Sequence, residues 1–194
     1  MRKEYIGILV IFFLFAGPGP SVFFLNKFTV TILPLACFIA IFYLLRKEIF
    51  NADYNMMIKN TNYKLVFNSL KYCIFAHAIV ALIFKPATLL ADDLLTMYLI
   101  MPINIVLFGP IIEEIVYRKI IFGSLNHKFT FPIAAIASSA MFGIAHMSLK
   151  LFLAYFVVGY ILCHLYKKTN TLYAPIIVHT LLNLIPILFK TLKG

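Results

Sequence analysis

Long apolar runs recur along almost the whole chain, and they constrain the fold more than any other feature. A helix that crosses the hydrocarbon core of a bilayer needs about 20 largely apolar residues. On that measure the sequence predicts seven spans, at 5–25, 28–45, 66–84, 95–116, 131–147, 151–166 and 172–189. The predicted fold is therefore an all-α polytopic membrane protein with about seven transmembrane helices in one bundle.

The composition favours a protein of the membrane over a nucleic-acid-binding protein. Of the 194 residues, 63% are hydrophobic and 12% are charged, whereas a soluble domain is about half apolar and about a quarter charged. A net charge of +10 could suggest nucleic acid as a partner, but the basic residues lie between the apolar runs. The preference of Lys and Arg for the cytoplasmic side explains them better. The predicted partners are the lipid bilayer and membrane molecules, and no nucleic acid.

The basic residues also predict an orientation and a location. With the N-terminus in the cytoplasm, most of the 17 Lys and Arg residues fall on the inner side. The N-terminus resembles a signal peptide, but further spans follow and no clear cleavage site is present, so we expect a retained first helix. The GPGP sequence at 17–20 should kink or end that helix. The usage of Lys, Ile, Asn and Phe favours a bacterial source, hence a bacterial cytoplasmic membrane.

One structural domain is expected, with two regions of different content. Residues 1–94 hold N-terminal transmembrane helices and a cytoplasmic loop without a recognisable motif, and residues 95–190 hold the candidate catalytic helices. The polar stretch 46–65 predicts a loop, with a short interfacial helix as an option. The stretch 85–94, which carries Asp92 and Asp93, predicts a further surface helix.

Three predicted spans carry polar side chains at helical spacing. The fourth ends in EEIVYR, the fifth contains FGIAH and the seventh contains HTLLN. A charge at the bilayer centre costs about 2.5–3.5 kcal/mol on insertion scales, so such residues are rare there and indicate a functional site. The candidate residues are Glu113, Glu114, Arg118, Phe142, His146, His179 and Asn183.

The two adjacent glutamates are expected to have different roles. On a helix, residues four apart share a face, whereas neighbours point about 100° apart. Glu114 should therefore pair with Arg118, which makes its burial tolerable. Glu113 has no such partner and projects from another face. The spacing predicts a structural Glu114 and a chemically available Glu113.

The remaining polar residues complete a possible catalytic set. Phe142 lies one turn before His146, and Asn183 lies one turn after His179. If the three helices converge, a carboxylate and an imidazole would face one water molecule and could remove its proton. A second imidazole and an amide could stabilise the oxyanion that forms when a carbonyl is attacked. This set suits peptide-bond hydrolysis without a nucleophile from the protein.

The ordered motifs E-E-x-x-x-R, F-x-x-x-H and H-x-x-x-N resemble those of the CAAX-protease and bacteriocin-processing family of intramembrane endopeptidases. The resemblance covers roughly residues 95–190. It implies that Glu113 and His146 activate water, and that His179 and Asn183 stabilise the tetrahedral intermediate. It also implies that Glu114 and Arg118 hold the helix end in place. The implied substrate is a membrane-associated or lipidated protein or a peptide, as in bacteriocin processing.

Metal dependence is left open by the sequence. The chain has no H-E-x-x-H zinc motif, but a zinc site could be assembled from Glu113, His146 and His179. Such a site would use groups that water activation requires for other purposes. We therefore favour a mechanism that needs no cofactor, with a divalent metal as the alternative.

Two other functions compete with an enzyme. A non-catalytic membrane partner, such as an immunity or regulatory protein, could retain the same motifs. A transporter or proton relay also uses intramembrane Glu, His and Asn, but the N-terminal half has no second copy of the polar pattern. A scaffold should tolerate Glu113→Gln, whereas an enzyme should not.

Overall fold

The computed structural model describes residues 1–24, 26–59, 61–85, 98 and 100–192, and in these ranges it contains eight helices and no strand. The predicted all-α class is confirmed, with one helix more than the seven expected. The helices are α1 (Lys3–Phe15), α2 (Lys27–Phe50), α3 (Tyr54–Lys59), α4 (Tyr63–Phe84), α5 (101–126), α6 (Phe131–Ala145), α7 (Phe152–Thr169) and α8 (Tyr173–Leu192).

The helix boundaries differ from the predicted spans at three places. α1 ends at Phe15, because the glycines and prolines at 17–20 cannot continue it, and a 3-10 turn at Pro20–Phe24 follows. The polar stretch 46–65 contributes the end of α2 and the additional short helix α3. α5 continues about ten residues beyond its predicted end at 116. The helix predicted at 85–94, with Asp92 and Asp93, lies almost entirely outside the described residues.

Two helices in the described ranges are long and apolar enough to cross a membrane, Phe28–Phe50 and Tyr63–Phe84. Only 22% of the apolar window in each is buried within the protein. Their outward faces carry large apolar side chains such as Phe28 and Leu82, which are 74% and 78% exposed. Exposed apolar surface of this extent is typical of contact with lipid. α6 and α8 also contain apolar helical stretches, but these are shorter.

The core surrounds the middle of α5 and is completed by close packing of α6 against α7. Ile112, Val116 and Ile120 of α5 are each at most 1% exposed. Gly159 of α7 lies so close to α6 that a Cβ atom there would be 3.0 Å from the Cα of Ser139. Small residues that permit such an approach are typical of helix contacts in membranes.

We expect Gly159→Leu to destabilise the protein by about 1–3 kcal/mol, because the new side chain would overpack the α6–α7 contact. Gly123→Ala is the matched control, since its Cβ would meet no atom closer than 3.6 Å. That control should be neutral or should stabilise the helix by about 0.5–1 kcal/mol. Thermal unfolding of both variants in detergent measures the difference. Equal stability of Gly159→Leu and the wild type would contradict the packing described.

Candidate active site

α5 changes its hydrogen-bonding pattern where the first polar residues occur. Residues Asn104–Phe108 and Glu114–Phe122 form π-helical turns, separated by the α-helical segment Gly109–Glu113. π-helical turns are rare and often occur at functional sites. Gly109 suits the first π turn, because a Cβ atom there would lie 2.9 Å from the carbonyl oxygen of Asn104.

Pro110 explains how α8 is attached to this turn. In a π-helix the N–H of residue 110 would donate to the carbonyl of Ile105, but proline has no N–H. Asn183 of α8 supplies the missing donor, with Nδ2 at 2.9 Å from the carbonyl oxygen of Ile105. The Gly-Pro sequence in α5 therefore creates the acceptor that positions Asn183.

Glu114 lies at the centre of a buried charged cluster. Its side chain and that of Arg118 are both 0% exposed, and Nε of Arg118 is 3.0 Å from Oε2 of Glu114. The predicted pair is therefore present. The other carboxylate oxygen, Oε1, accepts a hydrogen bond of 2.7 Å from Nδ1 of His179. The Arg118 guanidinium also lies over the ring of Phe142, 4.3 Å from its centroid.

The hydrogen bond to Glu114 determines which ring nitrogen of His179 is left for other partners. Because Nδ1–H donates to the carboxylate, Nε2 is the ring nitrogen left for other partners. Nε2 lies 3.8 Å from Oε2 of Glu113, too far for a direct hydrogen bond. The Glu113 side chain is 27% exposed, and within the described ranges its Oε2 has no hydrogen-bond partner. Among the described residues Glu113 thus lacks the close partner that Glu114 has, and its availability for chemistry stays a prediction.

His146 is fixed by the end of α6. The helix ends at Ala145, so the carbonyl of Phe142 needs a donor from outside the regular ladder. Nδ1 of His146 lies 2.8 Å from that oxygen and donates to it. The imidazole also meets the Phe142 ring edge to face at 4.6 Å, so the expected contact is present. The face of the His146 ring stacks on the ring of Tyr155 of α7, with the ring centroids 3.6 Å apart.

The four candidate catalytic residues line one cavity of about 280 Å³. α5, α8 and the end of α6 supply Glu113, His179, Asn183 and His146, so the convergence expected of these elements is present. A second cavity of about 160 Å³ shares Glu113 and His146 with the first. The geometry brings the set together, and the catalytic roles of its members stay predictions.

Some cavity residues were missed at the level of sequence. Phe12 and Ala16 at the end of α1 and Pro34 of α2 form part of the wall, although the N-terminal half carries no motif. Tyr155 belongs to α7, which carries none of the three motifs. Asn104 lies in the fourth predicted span outside the three motifs, yet it also lines the cavity.

The candidate metal ligands Glu113, His146 and His179 line the cavity without being grouped as metal ligands. Among the described side chains, no group of three or more His, Cys, Asp or Glu residues is arranged to hold an ion. Nδ1 of His146 donates to a backbone carbonyl and Nδ1 of His179 to a carboxylate, so Nε2 of each ring is left for other partners. Because no such group is present among the described side chains, no catalytic step is assigned to a metal.

Comparison with known proteins agrees with the motifs. Ionisable residues that line a cavity between apolar helices indicate a functional site in a membrane protein. Residues 95–185 match the family model described as "Type II CAAX prenyl endopeptidase Rce1-like", and all three motifs lie in that range. The resemblance predicted from the motifs is therefore confirmed for this segment, which makes up slightly less than half of the chain.

Three curated relatives match parts of the chain. It is 45% identical over 75 residues to YdiL, a candidate membrane peptidase of Bacillus subtilis (strain 168), covering 39% of this chain and 31% of YdiL. It is 39% identical over 93 residues to the membrane-embedded CAAX protease MroQ of Staphylococcus aureus (strain USA300), covering 45% of this chain and 38% of MroQ. It is 33% identical over 76 residues to the UPF0177 protein YxdF of Lactococcus lactis subsp. lactis (strain IL1403), covering 39% of this chain and 41% of YxdF.

These matches span well under two thirds of each relative's length. No solved structure matches the chain significantly. The family region and the apolar helices together identify an integral membrane protein.

Proposed function

We propose that this protein is an intramembrane endopeptidase that hydrolyses a peptide bond with a water molecule activated by Glu113 and His146. The observation that carries the proposal is the single cavity lined by Glu113, His146, His179 and Asn183. The match of residues 95–185 to the Rce1-like family model supports the same chemistry. The relative MroQ, named as a membrane-embedded CAAX protease, agrees with it.

Water activation is assigned to the two polar residues that line both cavities, Glu113 and His146. Glu113 Oε2 is a buried acceptor without a hydrogen-bond partner in the described ranges. His146 donates through Nδ1 to Phe142, so Nε2 keeps its lone pair and can accept a proton. A water molecule between two such acceptors would give one proton to them while its oxygen attacks the carbonyl carbon. Transfer of that proton to the amide nitrogen would then break the C–N bond and release the amine.

Stabilisation of the tetrahedral intermediate is assigned to α8. The Nδ1–H of His179 is occupied by Glu114, so Nε2 donates to an oxyanion when the imidazole is protonated. The Glu114 carboxylate would support that positive charge, as the buried aspartate does in serine-protease triads. Asn183 uses one N–H on the Ile105 carbonyl and retains a second for the oxyanion. No metal or other cofactor is required in this scheme.

The proposed substrate is a membrane-associated or lipidated protein or a peptide, because the cavity lies among apolar helices. The proposed location is a bacterial cytoplasmic membrane, which the bacterial relatives support. The excess of Lys and Arg on one side supports a cytoplasmic N-terminus.

The activity can be tested with purified protein in detergent and a mixture of synthetic apolar peptides, with products identified by mass spectrometry. We expect cleavage by the wild type, also in a chelator, and none by His146→Ala. Asn183→Ala should lose about 10²–10³ in kcat, the usual effect of removing one oxyanion donor. The control is His127→Ala, because His127 is exposed and lies outside the cavity. Equal cleavage by all variants would reject the assignment, and loss in the chelator would reject the metal-free scheme.

A further inference from the structure

The buried polar atoms without hydrogen-bond partners point to one more functional residue. In the described part of the chain all six such side-chain atoms belong to α5. Four of them are Oε2 of Glu114 and the three guanidinium nitrogens of Arg118, which form an ion pair beneath an aromatic ring. The other two are the acceptors Oε2 of Glu113 and Oδ1 of Asn104, and both residues line the large cavity.

The orientation of the Asn104 amide is fixed by α2. Nδ2 donates a hydrogen bond of 2.8 Å to the backbone carbonyl of Val30. A carbonyl can only accept, so the other end of the amide must be the oxygen. Asn104 is 7% exposed, and an unpaired buried acceptor is unfavourable. A role limited to bridging α5 and α2 would explain Nδ2 but would leave Oδ1 unsatisfied.

We propose that Asn104 is a substrate-binding residue whose Oδ1 accepts a hydrogen bond from a backbone N–H of an extended peptide in the cavity. The inference rests on the endopeptidase activity proposed above. Neighbouring wall residues, including Ile105, Pro110 and Pro34, have apolar side chains. A peptide backbone that enters such surroundings must find partners for its N–H groups, because little water is available to them.

The position of Asn104 predicts which N–H it binds. Asn104 precedes Glu113 by nine residues of α5, which is roughly 13 Å along a helix axis. An extended peptide advances about 3.3 Å per residue. The bound N–H should therefore lie about four residues from the bond that Glu113 and its water attack.

The test crosses a substitution in the protein with a change in the substrate. A peptide cleaved by the purified wild type is resynthesised with each backbone N–H replaced in turn by an ester oxygen, which removes one donor with little change in shape. For the wild type we expect one ester, three to five residues from the cleaved bond, to lower kcat/KM by about 3- to 10-fold, the effect of one net hydrogen bond. For Asn104→Leu, the peptide with that ester should be cleaved with the same kcat/KM as the all-amide peptide. The KM of this variant for the all-amide peptide should be higher than that of the wild type.

Ser139→Ala is the control for a general effect of losing a buried polar group. Its hydroxyl donates to the carbonyl of Ala135 in its own helix, and Ser139 does not line the cavity, so the effect of the ester should persist in this variant. If Asn104→Leu does not fold, Asn104→Ser shortens the side chain and should also remove the penalty. The role of Asn104 would be overturned if the same ester lowered kcat/KM in the Asn104 variants as in the wild type. It would also be overturned if no ester position lowered kcat/KM of the wild type. Failure of the wild type to cleave any all-amide peptide would overturn the endopeptidase activity, and this inference with it.

Discussion

Glu113→Gln is expected to remove peptide cleavage and to leave the protein folded. Glutamine has the shape of glutamate but cannot accept a proton from water at neutral pH. General-base catalysis contributes about 10²–10⁴-fold to rate, so kcat should fall by about that factor. Folding should be little affected, because Oε2 of Glu113 has no hydrogen-bond partner among the described residues. Single-turnover cleavage and thermal unfolding measure the two effects separately.

The adjacent residue offers a matched control of the same chemistry. Glu114→Gln also replaces a carboxylate by an amide, but at a side chain that is 0% exposed and paired with Arg118. It should therefore lower stability, because Arg118 is left as an unpaired buried charge. Opposite phenotypes at two neighbouring positions would support their separate roles. A Glu113→Gln protein with the kcat of the wild type would contradict the assignment of Glu113.

Arg118→Met is expected to destabilise the protein by about 3–5 kcal/mol, the usual cost of breaking a buried ion pair from one side. Methionine preserves much of the apolar volume, so the main loss is the positive charge beside Glu114. Among the described residues, the carboxylate would then keep the hydrogen bond from Nδ1 of His179. Folded yield and the midpoint of thermal unfolding in detergent measure the effect.

The double variant Glu114→Gln/Arg118→Met shows whether an unpaired buried charge causes the loss of stability in Arg118→Met. Replacement of a whole buried pair by neutral groups is often tolerated, and the glutamine carbonyl can still accept from Nδ1 of His179. We expect the double variant to recover much of the stability that Arg118→Met loses. Wild-type stability of Arg118→Met alone would show that the pair does not hold α5 in place.

Local parts of the site could be predicted from sequence, and contacts between helices could not. The pair Glu114–Arg118 follows from a four-residue spacing within one helix. The hydrogen bond from His179 to Glu114 joins residues 65 positions apart, and no periodicity records such a contact. The early end of α1 has a local cause in the glycines and prolines at 17–20, which were expected to kink or end it.

Asn104 illustrates a second reason why part of the site could not be predicted from the sequence. On an ideal α-helix, residues nine positions apart lie about half a turn out of phase, since successive residues rotate by about 100°. Asn104 and Glu113 would then face opposite sides. The π turn at Asn104–Phe108 reduces the rotation per residue, and both side chains line the same cavity. The Gly-Pro sequence that favours this turn is visible in the sequence, but its effect on phase is not.

The most direct test compares bacterial membranes that contain the wild type with membranes that contain equal amounts of folded Glu113→Gln. New peptide ends are labelled and identified by mass spectrometry. An intramembrane endopeptidase should produce ends found only with the wild type, and these ends would also identify the substrate. Identical sets of ends in the two membranes would contradict the proposed activity and would favour a non-catalytic membrane partner.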